Sequence, residues 1–322
     1  MFLEETIRLA AARKATDLHY VEKEFPYIRV DGKIEVLTRA HQGSREEIRK
    51  FLNIGDEEAK EKEMAATFDG YRIRMHLYRK QGKLALTIRL LPGRIPDPDE
   101  LGLPPVLKKL ARRTGLFLVT GPTGSGKTTT LASLVQELNH TEALHILTLE
   151  DPIEYVHNSD RSLVVQREIG EDTESFADGM AAALRQGPDV IMIGELREQK
   201  AIQTALHLAE TGKLVMATMH AGNVEKAIYR IVDSFPPEEQ MLVRSQLAAC
   251  LLAIVSQKII CLTESGKRQP AFEILLNHRS VAHLIRNDQI HQLPTIMQSQ
   301  QSLGMQTMDM AVEKMQRADV HG

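Results

Sequence analysis

Apolar and polar positions follow two rhythms along this chain, and the change of rhythm divides it. Up to residue 91 the pattern is α+β: a helix over about 2–13, then short strands around 18–21 and 27–30, the second turning at Asp31-Gly32. A charged helical stretch follows. Residues 71–78 and 83–90 then alternate as the arms of a hairpin around Gln81-Gly82. Residues 92–105 carry Pro92, Pro96, Pro98, Pro104 and Pro105, five of the thirteen prolines, with Gly93 and Gly102. Proline fixes φ and removes a donor, so this stretch is expected to be an extended linker.

Beyond residue 105, apolar runs alternate with helical patterns, the signature of a parallel α/β sheet. The runs at 116–120, 145–149, 190–193 and 214–219 each end in a polar group. From about residue 240 the pattern is helical, interrupted by a hairpin of 256–262 and 271–276. The tail, 281–315, reads as helical and rich in methionine (Met297, Met305, Met308, Met310 and Met315), which suits core packing or a partner surface. The expected division is 1–91, a linker at 92–105, and 106–322 with C-terminal helices from about 278.

The composition narrows the function classes. A chain of 322 residues with 43% hydrophobic and 26% charged content has room for two cores. A net charge of −3 argues against nucleic acid as a partner. Cys250 and Cys261 form no C-x-x-C pair, so neither a disulfide framework nor a zinc module is expected. The longest apolar run, 247–255, is too short to cross a bilayer, and Met1-Phe2-Leu3-Glu4-Glu5 is acidic where a signal peptide is basic. A cytoplasmic protein able to dock on a membrane machine is the expectation.

The chemistry enters at Gly121-Pro122-Thr123-Gly124-Ser125-Gly126-Lys127-Thr128, which spells G-x-x-x-x-G-K-[ST]. An apolar run precedes it, and Leu131, Leu134, Val135 and Leu138 follow at helical spacing, giving the strand–loop–helix setting the motif requires. Glycines let backbone N–H groups close around a phosphate, and the helix N-terminus adds positive potential. Residues 121–129, through Thr129, are therefore the expected ATP-binding segment. Lys127 would reach the β- and γ-phosphates, and the Thr128 hydroxyl would ligate Mg²⁺. The run Val190-Ile191-Met192-Ile193-Gly194-Glu195 delivers a carboxylate suited to Mg²⁺ and the attacking water. Two further strand ends supply Glu150-Asp151 and His220. In open parallel sheets such ends converge on the ligand.

These motifs, with Leu149-Glu150-Asp151-Pro152-Ile153-Glu154-Tyr155 and Ala217-Thr218-Met219-His220, resemble the Walker B, Asp-box and His-box segments of the secretion and type IV pilus ATPases. The narrower resemblance is to the pilus-retraction (PilT) family. It is carried by Ala15-Thr16-Asp17-Leu18-His19, Gln166-Arg167-Glu168-Ile169-Gly170, Ala209-Glu210-Thr211-Gly212, Arg230-Ile231-Val232-Asp233-Ser234-Phe235-Pro236 and Ser302-Leu303-Gly304-Met305-Gln306-Thr307-Met308-Asp309. The chain departs from that family at Ser280-Val281-Ala282-His283-Leu284-Ile285-Arg286-Asn287, where an Arg and a closing Glu are replaced. Gly187 and Lys213 stand where Asp and His are common, and the region 32–69 looks shortened.

The resemblance implies a RecA-like P-loop ATPase core of the α/β class, a smaller PAS-like α+β N-terminal domain and a helical tail. It implies a homohexamer that hydrolyses Mg-ATP at subunit interfaces and turns an inner-membrane pilus platform protein, docked at the cytoplasmic face of the membrane. Glu154 is the candidate general base, with Glu150 as its rival. His220 would sense the γ-phosphate, although a histidine at a strand end is often only a satisfied polar group. Arg72, Arg79 and Arg89 would reach a neighbour's phosphates, whereas Arg197 and Arg230 read as ion-pair formers. Powering pilus retraction is the leading function. The alternatives are assembly of a pilus or competence pseudopilus, or a weakly hydrolysing accessory subunit of a paralogous pilus ATPase.

Overall fold

The protein is described from a computed structural model covering every residue except 1, 31, 38, 39, 56–60, 70, 92, 265 and 322. Asp31 of the expected turn and Pro92 of the expected linker lie outside the described residues. The chain divides into two units, residues 1–94 and 95–322.

In the first unit Gln81 and Gly82 both take positive φ, 52° and 78°, the conformation that a two-residue hairpin turn demands. The unit comprises α1 (Phe2–Ala12), β1 (Asp17–Val21), β2 (Tyr27–Val30), β3 (Lys33–Val36), α2 (Arg45–Leu52), β4 (Lys62–Phe68), β5 (Tyr71–Lys80) and β6 (Lys83–Leu90). Its antiparallel sheet has the order β3-β2-β1-β6-β5-β4. Ile73, Met75 and Leu77 of β5 and Leu84, Leu86 and Ile88 of β6 bury one face against Leu3 and Ile7 of α1 and Ile48 of α2. The stretch read from sequence as charged helix holds α2 but also β3 and β4. No residue of β3 is buried, so its ladder to β2 leaves no apolar alternation for the sequence to show.

The second unit runs α3 (Pro105–Leu110), β7 (Gly115–Thr120), α4 (Lys127–Thr141), β8 (His145–Glu150), β9 (Leu163–Glu168), α5 (Phe176–Gln186), β10 (Val190–Ile193), α6 (Gln199–Glu210) and β11 (Leu214–Met219). It continues with α7 (Val224–Asp233), α8 (Pro237–Cys250), β12 (Leu251–Cys261), β13 (Arg268–Leu276), α9 (Arg279–Arg286), α10 (Leu293–Ser299) and α11 (Met308–His321). The sheet order is β13-β12-β7-β11-β10-β8-β9, parallel throughout except that β13 runs antiparallel to β12. Successive residues of β7 serve opposite faces: Leu116 and Leu118 join one core cluster, Phe117 and Val119 the other. A strand buried on both faces reads as an unbroken apolar run, which is why β7, β8, β10 and β11 were visible in the sequence.

Two expectations change. Residues 98–104 are not an extended spacer: Leu103 N–H donates to Pro98 C=O at 2.9 Å, and Leu103 is buried in the cluster that includes Phe117 and Leu131. The leucines between the prolines supply apolar surface that the second unit takes up. The apolar run 247–255 spans the end of α8 and the start of β12, so that strand begins five residues before the predicted 256. The tail comprises α9, α10 and α11 with two short 3₁₀ turns between them, and Met297 and Met305 are each 1% exposed in the core. Ala282 of α9 is buried, and at the helix C-cap the Asn287 side chain donates to His283 C=O at 2.9 Å.

Candidate nucleotide site

β7 ends at Thr120, and the chain turns through 121–126 into α4, whose first residue is Lys127. Gly126 is the N-cap at φ 86°, a conformation that disfavours a side chain. Pro122, Thr123 and Gly124 are exposed, Ser125 is buried, and Thr128 and Thr129 stand half-buried in the first turn of α4. The Lys127 ammonium donates to the carbonyls of Gly121 and Pro122, both at 3.0 Å. Burial lowers its pKa, while the charges of Glu195 and Glu154 pull the other way. The charges of two side chains singled out from distant segments thus both reach Lys127.

Glu150 and Glu154 sit differently. Glu150, the last residue of β8, is 3% exposed and accepts from Thr148 Oγ1 at 2.7 Å and Gln166 Nε2 at 3.0 Å. Glu154 lies half-buried in the loop after β8. That loop is laced to α4: Thr129 Oγ1 and Tyr155 Oη are 2.9 Å apart, and Gln136 Oε1 meets His157 Nδ1 at 2.7 Å. Further along, Asn139 Nδ2 donates to Asn158 C=O at 2.7 Å. The helix that begins with Lys127 thus also holds the segment bearing Glu154. Neither Thr148, two residues earlier on β8, nor Gln166, on the neighbouring β9, reads from the sequence as a partner of Glu150.

Burial pushes Glu150 from its ordinary 4.5 up to about 7, and pushes His157 from 6.5 down to about 4. Between pH 4.5 and 7 the folded protein keeps the Glu150 proton that the unfolded chain has lost, so this group makes stability fall as pH rises. Between pH 4 and 6.5 the unfolded chain takes up the His157 proton first, so this group makes stability rise with pH. The two slopes oppose each other from about pH 4.5 to 6.5. Glu150→Gln is expected to remove the falling contribution and leave a variant that gains roughly 1–2 kcal/mol relative to wild type across that window. Urea unfolding of nucleotide-free protein at pH 5.0 and 6.5 measures this. Equal pH slopes for the two proteins would show that Glu150 is ionised throughout.

Glu195 follows β10 with its side chain 16% exposed, and its carboxylate meets Arg197 at 2.6 Å and His220 Nε2 at 3.4 Å. Arg230 donates to His220 C=O at 2.8 Å, and the Thr218 hydroxyl donates to Gly194 C=O. Strand ends β10 and β11 are thereby tied together directly behind the two side chains they present. The distribution of the N-terminal arginines is less unified. Arg89 pairs with Asp17 at 3.0 Å, and the register sets Arg74 opposite Arg89. Residues two apart share a strand face, so Arg72 lies with Arg74 and Arg89, whereas Arg79 shares the parity of Ile73, Met75 and Leu77. The structure does not gather Arg72, Arg79 and Arg89 on one face.

The family described as Type II/IV secretion system protein matches residues 97–317. The chain belongs to this family. Its likeness to the PilT members extends over nearly its whole length. It is 39% identical over 322 residues to the type IV pilus retractation ATPase PilT of Pseudomonas aeruginosa, covering 97% of this chain and 93% of that protein. It is 41% identical over 313 residues to the uncharacterized protein YggR of Escherichia coli K12, covering 95% and 96%. The crystal structure of the pilus retraction motor PilT with bound ADP matches with a TM-score of 0.89 at 38% identity, covering 98% of this chain and 93% of that one. The protein is an ATP hydrolase of this secretion and pilus ATPase family, with the α/β fold of its PilT members.

Proposed function

We propose that this ATPase powers retraction of a type IV pilus, working as a ring of six identical subunits against an inner-membrane platform protein. The observation that carries the proposal is the extent of the likeness to PilT, which takes in the N-terminal unit and the tail as well as the ATPase unit. A position at the cytoplasmic face of the membrane is supported by the pilus context. It is compatible with the described residues, where no helix is long and apolar enough to cross a bilayer.

In the proposed chemistry, Lys127 neutralises phosphate charge and the N–H groups of 121–129 cradle the phosphate oxygens. Mg²⁺ fits the donor set, since the Thr128 hydroxyl and the Glu195 carboxylate are hard oxygen ligands beside a phosphate-binding loop. When bound, it would neutralise charge building up on the phosphate oxygens. Arg197 and His220 orient the Glu195 carboxylate. Glu154 is the better-supported general base: its charge is felt at Lys127, whereas Glu150 is occupied in holding Gln166 and Thr148. From a neighbouring subunit, Arg89 and Arg72 are the better candidates for completing the site. Arg79 lies on the opposite face and is set aside.

Deleting the gene is expected to leave cells with abundant surface pili and no twitching movement, because filaments still assemble but are not withdrawn. Electron microscopy and a subsurface motility assay read the two outcomes. Bald cells with normal levels of the other pilus proteins would instead mean an assembly motor.

A further inference from the structure

The phosphate loop rests against a residue from far along the chain. Gln257, on β12, is 2% exposed, and both ends of its amide are used. Its Nε2 donates to the Ser125 carbonyl at 2.7 Å, and its Oε1 accepts from Thr130 Oγ1 at 2.8 Å. Chemistry fixes this orientation: the Ser125 carbonyl can only accept, so the NH₂ must face it and the hydroxyl must donate to Oε1. The loop also lies directly on this residue. A Cβ placed on Gly121 would come within 2.3 Å of the Gln257 carbonyl oxygen, and one on Gly126 within 3.0 Å of Gln257 Nε2.

We propose that Gln257, oriented by Thr130, is a positioning residue that holds the phosphate loop in its nucleotide-binding conformation. A trans peptide points its C=O and N–H in opposite directions. Tying the Ser125 C=O to β12 therefore turns the Gly126 N–H to the other side of the loop, where it is free to donate to a phosphate oxygen. The Ser125–Gly126 peptide needs such a tether, because Gly126, at φ 86°, resists rotation least. A rotated peptide would present its carbonyl oxygen to the phosphate and repel it. Thr130 stands one turn into α4, so the same amide also ties the start of that helix to the sheet.

The proposal rests on residues 121–129 being the nucleotide site, and the controls separate the two. Wild-type full-length protein must bind N-methylanthraniloyl-ADP in a fluorescence titration, and Lys127→Ala must bind it far more weakly. Failure of those controls sinks the site assignment itself. Given them, Gln257→Leu is expected to raise Kd about tenfold or more, since a buried carbonyl and a hydroxyl each lose their partner. KM for ATP should rise with Kd, and kcat should fall less. Thr130→Val is expected to raise Kd several-fold, and Thr130→Ser, which keeps the hydroxyl, to restore it. A residue with a purely structural role would lower the unfolding temperature and leave Kd alone. A wild-type Kd in folded Gln257→Leu would overturn the proposal. If that variant does not fold, an equal Kd for Thr130→Val and Thr130→Ser would overturn it instead.

Discussion

Lys127→Ala is expected to abolish ATP turnover while the protein still folds. Lys127 is 8% exposed, and its ammonium sits on the carbonyls of Gly121 and Pro122 and feels the charges of Glu195 and Glu154. Without it a triphosphate would face the two loop carbonyls and the nearby carboxylates with no ammonium on the loop, while Arg197 is already paired with Glu195. Unit charges about 4 Å apart interact by ~1–4 kcal/mol near a protein surface, so several such repulsions remove both affinity and transition-state stabilisation. A fall of at least ~10²–10³-fold in turnover follows. The fold should survive, because β7 and the apolar face of α4 keep their burial in the second unit's core. Circular dichroism checks the fold, and phosphate release checks turnover. Wild-type turnover in the variant would place the active site elsewhere.

Glu195→Gln is expected to separate binding from chemistry. The loop and Lys127 are untouched by it, so nucleotide affinity should stay within a few-fold of wild type. The amide keeps the shape of the carboxylate but loses its charge, and with it the ion pair to Arg197. Hydrolysis should fall by ~10²-fold or more, since a carboxylate that organises metal and water contributes on that scale. Titration with a fluorescent ADP analogue, set beside single-turnover hydrolysis, distinguishes the outcomes. If affinity collapses along with the rate, Glu195 supports the loop rather than the reaction.

The parts of the site legible in the sequence are those written in consecutive residues. The phosphate loop is one contiguous motif, and the apolar strands leading to it, to Glu150, to Glu195 and to His220 are buried on both faces, so each reads as an unbroken run. What escaped is long-range or solvated. Gln257 lies in the polar stretch Ser256-Gln257-Lys258 near the middle of β12, and nothing local tells it from a strand residue turning outward. Its one signal is the break of the apolar run 251–255 by Ser256-Gln257, both buried in the structure. β3 escaped because an edge strand with no buried residue shows no alternation. The supposed linker was misjudged because five prolines outweighed Leu101 and Leu103, whose apolar surface decides where 98–104 packs. Arg72 and Arg79 read alike from the resemblance, but residues seven apart on one strand point to opposite faces, a difference of parity that the resemblance does not carry.

The sheet order has a consequence for how the protein comes into being. β7 carries the phosphate loop, and its two ladder partners are both late in the chain: Leu118 pairs with Ala217 of β11 and with Ile254 of β12. A strand whose neighbours arrive so much later cannot dock until the intervening loop is closed, and long closures slow folding. During synthesis from the N-terminus, the first unit has its whole sequence available early, while the phosphate loop waits for Gln257. A chain halted before β12 would carry the full motif and yet lack the strand against which it rests. Nucleotide capture should therefore mark the end of folding of the ATPase unit rather than its beginning.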